Sequence, residues 1–165
     1  MADTTQHTFL FADLVGFTAF TERVGDDIAA DVAVAFQTAS AHLAADFDCD
    51  VVKSLGDAVM IHGADAARVV ALALRIAAEL SEEGWCPPVR MGVHSGTAVR
   101  RGSDWYGSTV NVAARLVDAA AAGEVLISLT TRDLLASNGA MKIFDRGPRS
   151  FKNVGAPVGV FAAAA

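Results

Sequence analysis

Short apolar runs alternate with long amphipathic stretches along this 165-residue chain, and their order restricts the fold more than any other feature. Residues 8–14 are apolar and β-branched and end close to Gly16, as a buried strand does. The next segment predicts one long helix, because apolar residues recur every three or four positions: Phe20, Val24, Ile28, Val32, Phe36, Ala39 and Leu43. Such a stripe must pack against a sheet, so the chain combines both element types.

The following segments complete a βαββαβ order. Residues 49–53 and 58–62 predict two strands joined by a turn at 54–57, residues 65–83 a second helix, and residues 89–99 another strand before a polar loop at 100–104. Beyond this loop we predict a helix at 108–121, a strand at 125–128, a short helix at 131–137, and strands at 141–145, 150–154 and 158–161. The sequence therefore predicts an α+β fold with a ferredoxin-like βαββαβ core and extra C-terminal αβ elements.

Composition limits the partners of the chain. A hydrophobic content of 53% and a formal net charge of −6 argue against disorder and against nucleic acid bound through a basic surface. The first apolar run is too short for a signal sequence or a membrane span, so we expect a cytoplasmic protein without membrane attachment. Cys49 and Cys86 lack the spacing of a metal site and predict reduced thiols, with a disulfide as the alternative. We expect one domain at 8–161, a flexible tail at 1–7 and an alanine-rich tail at 162–165.

Two aspartates lie where predicted strands end. Asp13 ends the first strand and Asp57 follows Gly56 in the hairpin turn, and either residue alone is ordinary turn chemistry. On neighbouring strands, however, the two carboxylates would repel each other unless a cation lay between them. Hard oxygen ligands favour Mg²⁺ or Mn²⁺, so a pair of divalent metal ions is the economical prediction.

Asn111 and Arg115 lie four residues apart on a predicted helix that is otherwise apolar nearly all round. A buried arginine needs an anion, which either a structural salt bridge or a ligand phosphate could supply. Lys53, near a strand end, and Asp104, in a loop, are not specific by themselves. The chain has no GxxxxGK[ST] loop and no Ser/His/Asp arrangement, so P-loop hydrolysis and acyl transfer have little support.

Together these residues resemble the class III adenylyl and guanylyl cyclase catalytic domains over nearly the whole chain. Three blocks carry the resemblance in the family's order: Phe11 to Thr18, Lys53 to Ala58, and Asp104 to Arg115. The resemblance implies the class III nucleotidyl cyclase fold. It also implies an adenylate cyclase that uses two divalent cations, Mg²⁺ or Mn²⁺, to convert ATP into 3′,5′-cyclic AMP and pyrophosphate.

The resemblance also implies roles for the residues of the first block. Asp13, Asp57 and the backbone carbonyl of Leu14 would hold the metal ions. The phosphates would lie against the backbone of Val15, Gly16, Phe17 and Thr18.

The other two blocks would bind the nucleoside. Lys53 would donate to adenine N1 and Asp104 would accept from its 6-amino group, whereas GTP-selective members tend to have a glutamate and a small residue or cysteine there. Asn111 and Arg115 would orient the ribose and stabilise the transition state.

The same resemblance implies that the active site is shared between two chains. In a head-to-tail homodimer with two sites, the aspartates of one chain would face the nucleoside-binding residues of the other. The segment Phe151 to Val154 resembles the family's Lys-Gly segment only loosely, so Lys152 is given no role. A competing interpretation is a catalytically degenerate module that binds nucleotide and serves regulatory dimerisation, although the complete set of polar positions favours an active enzyme.

Overall fold

A computed structural model describes residues 4–136 and 139–165. Its strands are β1 (His7–Leu14), β2 (Asp50–Leu55), β3 (Ala58–Gly63), β4 (Val89–Gly96), β5 (Val99–Arg101), β6 (Asp104–Tyr106), β7 (Val125–Ser128), β8 (Lys142–Arg149) and β9 (Val158–Ala164). Its helices are α1 (Phe17–Val24), α2 (Asp26–Asp46), α3 (Ala66–Glu83), α4 (Ser108–Ala119) and α5 (Leu129–Leu134).

Seven strands form one mixed sheet in the order β2-β3-β1-β4-β7-β9-β8, while β5 and β6 form a separate hairpin. Strand β1 is antiparallel to both β3 and β4, and β4 is parallel to β7. The elements from β1 to β4 make up the βαββαβ core, and β7, β8 and β9 extend its sheet. The predicted α+β fold is therefore confirmed.

The sheet separates two layers of helices. Leu10, Ala12 and Leu14 of β1 point towards α2 and α3 and belong to the main hydrophobic core. Phe9 and Phe11 point to the opposite side, where α4 packs. Since side chains alternate along a strand, Asp13 also lies on the α4 side of the sheet.

Two glycines allow α4 to lie directly against β4. A Cβ atom at Gly92 would meet the backbone of Leu116 and Val117, and one at Gly96 would lie 2.5 Å from Thr109 Oγ1. The backbone at Leu116 and Val117 cannot move without displacing the helix, and the Thr109 side chain leaves no room for a Cβ at Gly96 in its present position. These glycines therefore fix the position of α4 and of every side chain that it carries.

The predicted single helix over residues 20–43 is wrong. Gly25, with φ at 90°, separates α1 from α2, and Ile28 is 54% exposed although the apolar stripe predicted its burial. By length and composition alone, α2 could also cross a membrane, but 33% of that stretch is buried within the molecule. The break redirects the stripe, so that Phe36 and Leu43 enter the core.

Two further predictions about the C-terminal third are wrong. The predicted strand at 150–154 is a turn in which the Val154 N–H donates to the Phe151 carbonyl. Ala162 and Ala163, predicted to lie in a tail, are buried in β9 opposite Leu126 and Val125 of β7. Alanine has little preference for strands, so the pairing of β9 with its neighbours is not apparent from composition.

Smaller differences affect three segments. Part of the predicted loop at 100–104 forms the β5–β6 hairpin, whose turn includes Gly102 at φ 61°. The short helix predicted at 131–137 lies at Leu129–Leu134, and Ser137 is outside the described residues. Residues 1–3 of the predicted tail are outside the described residues, and His7, the last residue of that tail, already belongs to β1.

Candidate functional site

Asp13 and Asp57 lie side by side on the α4 side of the sheet. Asp13 is opposite Ala58 in the β1–β3 register, and the Leu14 N–H donates to the Asp57 carbonyl over 3.0 Å. Burial raises the pKa of Asp13, and the negative charge of Asp57 raises it further, against the lowering effect of Arg90. The structure therefore brings the two carboxylates together, as their positions at strand ends predicted.

Arg90 is a member of this site that the sequence reasoning missed. It lies opposite Asp13 in the β1–β4 register, and its Nε and Nη2 atoms donate to Asp13 Oδ2 at 3.1 and 2.8 Å. Its Nη1 atom donates to the Asp118 carbonyl at the end of α4, over 3.1 Å. The guanidinium thus ties the Asp13 carboxylate to α4. Only the strand register reveals this role, although a charged residue within an apolar strand was the available signal.

The chemistry of these donors fits a divalent cation. Two adjacent carboxylates supply hard, negatively charged oxygens, and a cation between them would relieve the repulsion that, together with the stronger effect of burial, raises the pKa of Asp13. The parts of the chain that the structure describes contain no group of three or more His, Cys, Asp or Glu side chains placed to hold a metal ion. The prediction of metal binding therefore rests on the proximity of Asp13 and Asp57.

The turn from β1 into α1 exposes backbone amides next to Asp13. Gly16 adopts the left-handed conformation, with φ at 68°, and α1 begins at Phe17 without a side-chain cap. Amides in the first turn of a helix have no acceptor within the helix and attract anions. The amide of Val15 differs, because it donates to the Pro88 carbonyl over 2.8 Å. Of the four residues whose backbone was predicted to lie against the phosphates, Gly16, Phe17 and Thr18 are therefore left as candidate amide donors.

Lys53 and Asp104 form an ion pair on the same side of the sheet. Lys53 lies opposite Met60, which in turn lies opposite Phe11, so all three share the face that carries Asp13. Lys53 Nζ donates to Asp104 Oδ2 over 2.8 Å, and this hydrogen bond holds the pKa of Asp104 below its usual range. Two residues 51 positions apart thus meet, as the proposed reading of a single base requires.

Asn111 and Arg115 line a cleft of about 380 Å³ together with Ala114, Lys152 and Asn153. Asn111 is exposed and Arg115 is half-buried. Within residues 4–136 and 139–165, the Arg115 side chain makes no hydrogen bond or ion pair. The structural salt bridge that the sequence left open is therefore not found among these residues, and the guanidinium is available to an anion in the cleft.

Lys152 reaches this cleft from the turn that replaces the predicted strand at 150–154. Phe151 and Val154 pack against the apolar cluster that includes Val112 and Leu116 of α4. These two anchors hold the intervening residues next to Asn111 and Arg115. Lys152 therefore lines the same cleft as Arg115, although the sequence match at this segment is loose.

Polar contacts divide the side chains predicted to form the site, together with Arg90, into three groups. One contains Asp13, Asp57 and Arg90, the second is the Lys53–Asp104 pair, and the third lines the cleft beside Arg115. In the described part of the chain, no hydrogen bond or ion pair connects one group with another. A single copy of the chain presents them as separate parts of one side of the molecule.

Comparisons with known proteins agree on one family. A family model described as the adenylate and guanylate cyclase catalytic domain matches residues 1–161. The chain is 38% identical over 117 residues to an adenylate cyclase of Streptomyces griseus, which covers 71% of this chain and 29% of that protein. It is 35% identical over 162 residues to a pH-sensitive adenylate cyclase of Mycobacterium tuberculosis, covering 94% of this chain and 40% of the relative. The chain thus spans well under half the length of these relatives.

Solved structures share the fold. The adenylyl cyclase CyaB from P. aeruginosa superimposes with a TM-score of 0.88 at 24% identity, covering 99% of this chain and 95% of that one. An adenylate cyclase from Trypanosoma brucei, described in its monomeric state, gives a TM-score of 0.87 at 22% identity, covering 99% and 90%. At such identities the likeness establishes the architecture alone.

Proposed function

The chain belongs to the adenylate and guanylate cyclase catalytic domain family, and from this membership we propose that it is an adenylate cyclase that converts ATP into 3′,5′-cyclic AMP and pyrophosphate. The Lys53–Asp104 pair, joined over 2.8 Å, carries the choice of ATP. A lysine donates to adenine N1 and an aspartate accepts from the 6-amino group, whereas guanine presents the reverse pattern. The relatives named adenylate cyclase support the same substrate.

We propose that Asp13, Asp57 and the Leu14 carbonyl hold two divalent cations, Mg²⁺ or Mn²⁺. Bound there, such ions supply Lewis-acid activation of the ribose 3′-hydroxyl and neutralise charge on the triphosphate. Arg90 keeps one oxygen of Asp13 fixed, which orients the carboxylate before any ligand arrives.

The chain's own groups then act on the triphosphate and the ribose. The amides of Gly16, Phe17 and Thr18 donate to phosphate oxygens, while Asn111 orients the ribose. The 3′-hydroxyl gives up its proton to solvent water, and its oxygen bonds to the α-phosphorus as the bond between the α-phosphorus and the bridging oxygen of the β-phosphate breaks. Pyrophosphate leaves in line.

Arg115 stabilises the negative charge that develops during this step. Because the Arg115 guanidinium has no partner in the described chain, no existing ion pair has to break when the phosphate binds. Lys152, on the same cleft, adds a second positive charge for the phosphates. This role for Lys152 comes from its position on the α4 cleft, since the sequence assigned it none.

A head-to-tail homodimer with two shared sites completes the proposal. Its support is the separation of the three groups within one chain, together with exposed apolar residues on the same side. Leu55 is 54% exposed opposite Ala58 in the register, and Tyr106 of β6 is 55% exposed. A second copy covering this side would bury both residues and bring the aspartates to the partner's α4. We place the enzyme in the cytoplasm.

Product formation from ATP tests the proposed function. We expect the purified chain to release pyrophosphate and 3′,5′-cyclic AMP from ATP when Mg²⁺ or Mn²⁺ is present. Absence of both products with either metal, in a chain that still binds ATP and dimerises, would support the regulatory module instead.

A further inference from the structure

Trp105 attaches the β5–β6 hairpin to the main sheet. The hairpin is not hydrogen-bonded into the seven-stranded sheet, and it presents one large aromatic side chain to it. The Trp105 ring stacks on His62 with centroids 4.5 Å apart and planes inclined by 19°. It also lies 4.5 Å from the His7 ring and 5.6 Å from Phe9, edge to face.

The base of this aromatic contact is itself fixed. His7 and His62 are hydrogen-bonded to each other through Nδ1 and Nε2, 3.0 Å apart, across neighbouring strands β1 and β3. Phe9 is fully buried beside them. The Arg100 guanidinium also lies over the Trp105 ring, 5.8 Å from its centroid. Together these ring and cation–π contacts restrict the movement of the half-buried indole.

The position of this ring determines the position of Asp104. The backbone N–H of Trp105 donates to Asp104 Oδ1 over 2.8 Å, while the Lys53 side chain donates to Oδ2 over the same distance. Lys53 belongs to the main sheet, whereas Asp104 belongs to the hairpin. Any shift of the hairpin relative to β2 therefore separates the two groups that are proposed to read the base.

We propose that Trp105 is a positioning residue for base selection, because its ring holds the hairpin in the place where Asp104 and Lys53 meet one purine edge. This inference rests on the proposed function of the Lys53–Asp104 pair. Trp105 acts through the hairpin and Asp104 and touches no reacting atom. Small displacements of a hydrogen-bonding group are enough to weaken selection, because recognition of a base depends on hydrogen-bond length and angle.

The first test compares ATP and GTP as substrates for Trp105→Ala, Trp105→Phe and a control, Phe144→Ala. Phe144 is an exposed aromatic residue on β8, at the opposite edge of the sheet from β2. We expect Trp105→Ala to lower the ATP-to-GTP ratio of kcat/KM by about tenfold, mainly through KM, with kcat little changed. Trp105→Phe should restore most of the ratio, and Phe144→Ala should leave it unchanged. An unaltered ratio in a folded Trp105→Ala chain would overturn the proposal.

The second test needs no turnover. Titration of the Asp104 carboxyl by ¹³C NMR should show a pKa below the usual range in the native chain and in Trp105→Phe. In Trp105→Ala we expect this pKa to return towards its ordinary value, because the hairpin no longer holds the carboxyl against Lys53. An unchanged low pKa would refute the positioning role, even if the chain proved to have no cyclase activity. A native chain that forms no cyclic nucleotide would refute the proposed function separately.

Discussion

At the scale of single residues, Asp13 and Asp57 could be identified from local sequence, whereas their neighbour Arg90 could not. Each aspartate was recognisable from its place at a strand end, and the resemblance to a known family gave both a role. Arg90 was not recognisable in this way, because its contact with Asp13 depends on the register of β4 beside β1. Strand register is a tertiary property, so local sequence patterns do not reveal which charge will lie beside which.

Metal binding by the two aspartates is testable without measuring turnover. We expect Mn²⁺ to raise the melting temperature of the native chain. At a Mn²⁺ concentration a hundred times the Kd, binding stabilises the folded state by about 2.7 kcal/mol. Asp57→Asn should lose most of this increase because half of the carboxylate pair is gone. Asp46→Asn, which changes an exposed aspartate at the end of α2, is the control. An equal Mn²⁺ effect on Asp57→Asn, measured by differential scanning fluorimetry, would exclude the site.

Base selection depends on Lys53 and Asp104. Replacement of both residues, as Lys53→Glu with Asp104→Gly, should lower kcat/KM for ATP, because both hydrogen bonds proposed to recognise the adenine edge are lost. The measurement is the steady-state rate with ATP and with GTP at equal metal concentration. An unchanged preference for ATP would show that other groups read the base.

His94 should make stability depend on pH. Burial lowers the pKa of His94 to about 4 from an ordinary value of 6.5, and Nδ1 lies 2.6 Å from Ser128 Oγ. Because the unfolded chain takes up a proton first, stability should fall as pH decreases from 6.5 towards 4. The expected loss is on the order of 2–3 kcal/mol.

Urea denaturation at several pH values measures this loss. His94→Asn keeps a polar side chain near Ser128 but has no ionisable ring, so its pH dependence over this interval should be weaker. If native and His94→Asn chains lose stability in parallel, His94 is not the responsible group.

At the scale of elements, the sequence predicted most strands and helices because apolar periodicity decides them. The hairpin β2–β3 and helix α3 lie close to their expected positions. The failures have particular causes. Gly25 separates two helices although the apolar pattern continues on both sides of it. Strand β9 contains several alanines, which do not indicate a strand. The turn after β8 contains apolar residues that pack against α4, and their pattern resembles that of a strand. In each case packing against neighbours overrides the local pattern.

The contact between α4 and β4 predicts the effect of a single methyl group. Gly92→Ala should destabilise the chain by about 1–3 kcal/mol, because a Cβ there overlaps the backbone of α4. Activity should fall as well, since the same helix carries Asn111 and Arg115. Gly155→Ala is the matched control, because a Cβ at Gly155 meets nothing within 4 Å. Equal unfolding free energies of the two variants in urea would contradict this account of the helix position.

At the scale of the whole molecule, one side of the sheet carries Asp13 and Asp57, the Lys53–Asp104 pair and the cleft beside Arg115, yet among the described residues no hydrogen bond or ion pair joins these three groups. The family resemblance predicted a site divided between two chains, and nothing within the sequence of one chain could establish its geometry. In the proposed homodimer, a second copy would bring the Arg115 cleft to Asp13 and Asp57, which no hydrogen bond or ion pair joins to that cleft among the described residues of one chain.

Subunit mixing tests this central claim most directly. Asp57→Ala and Arg115→Ala should each be inactive alone, since every site in either homodimer lacks one essential group. After exchange of subunits, half of the dimers contain one intact site, so cyclic AMP formation should recover to about a quarter of the native rate. Activity that remains at the level of the separate variants, in mixtures whose exchange has been verified, would contradict an adenylate cyclase site shared between two chains.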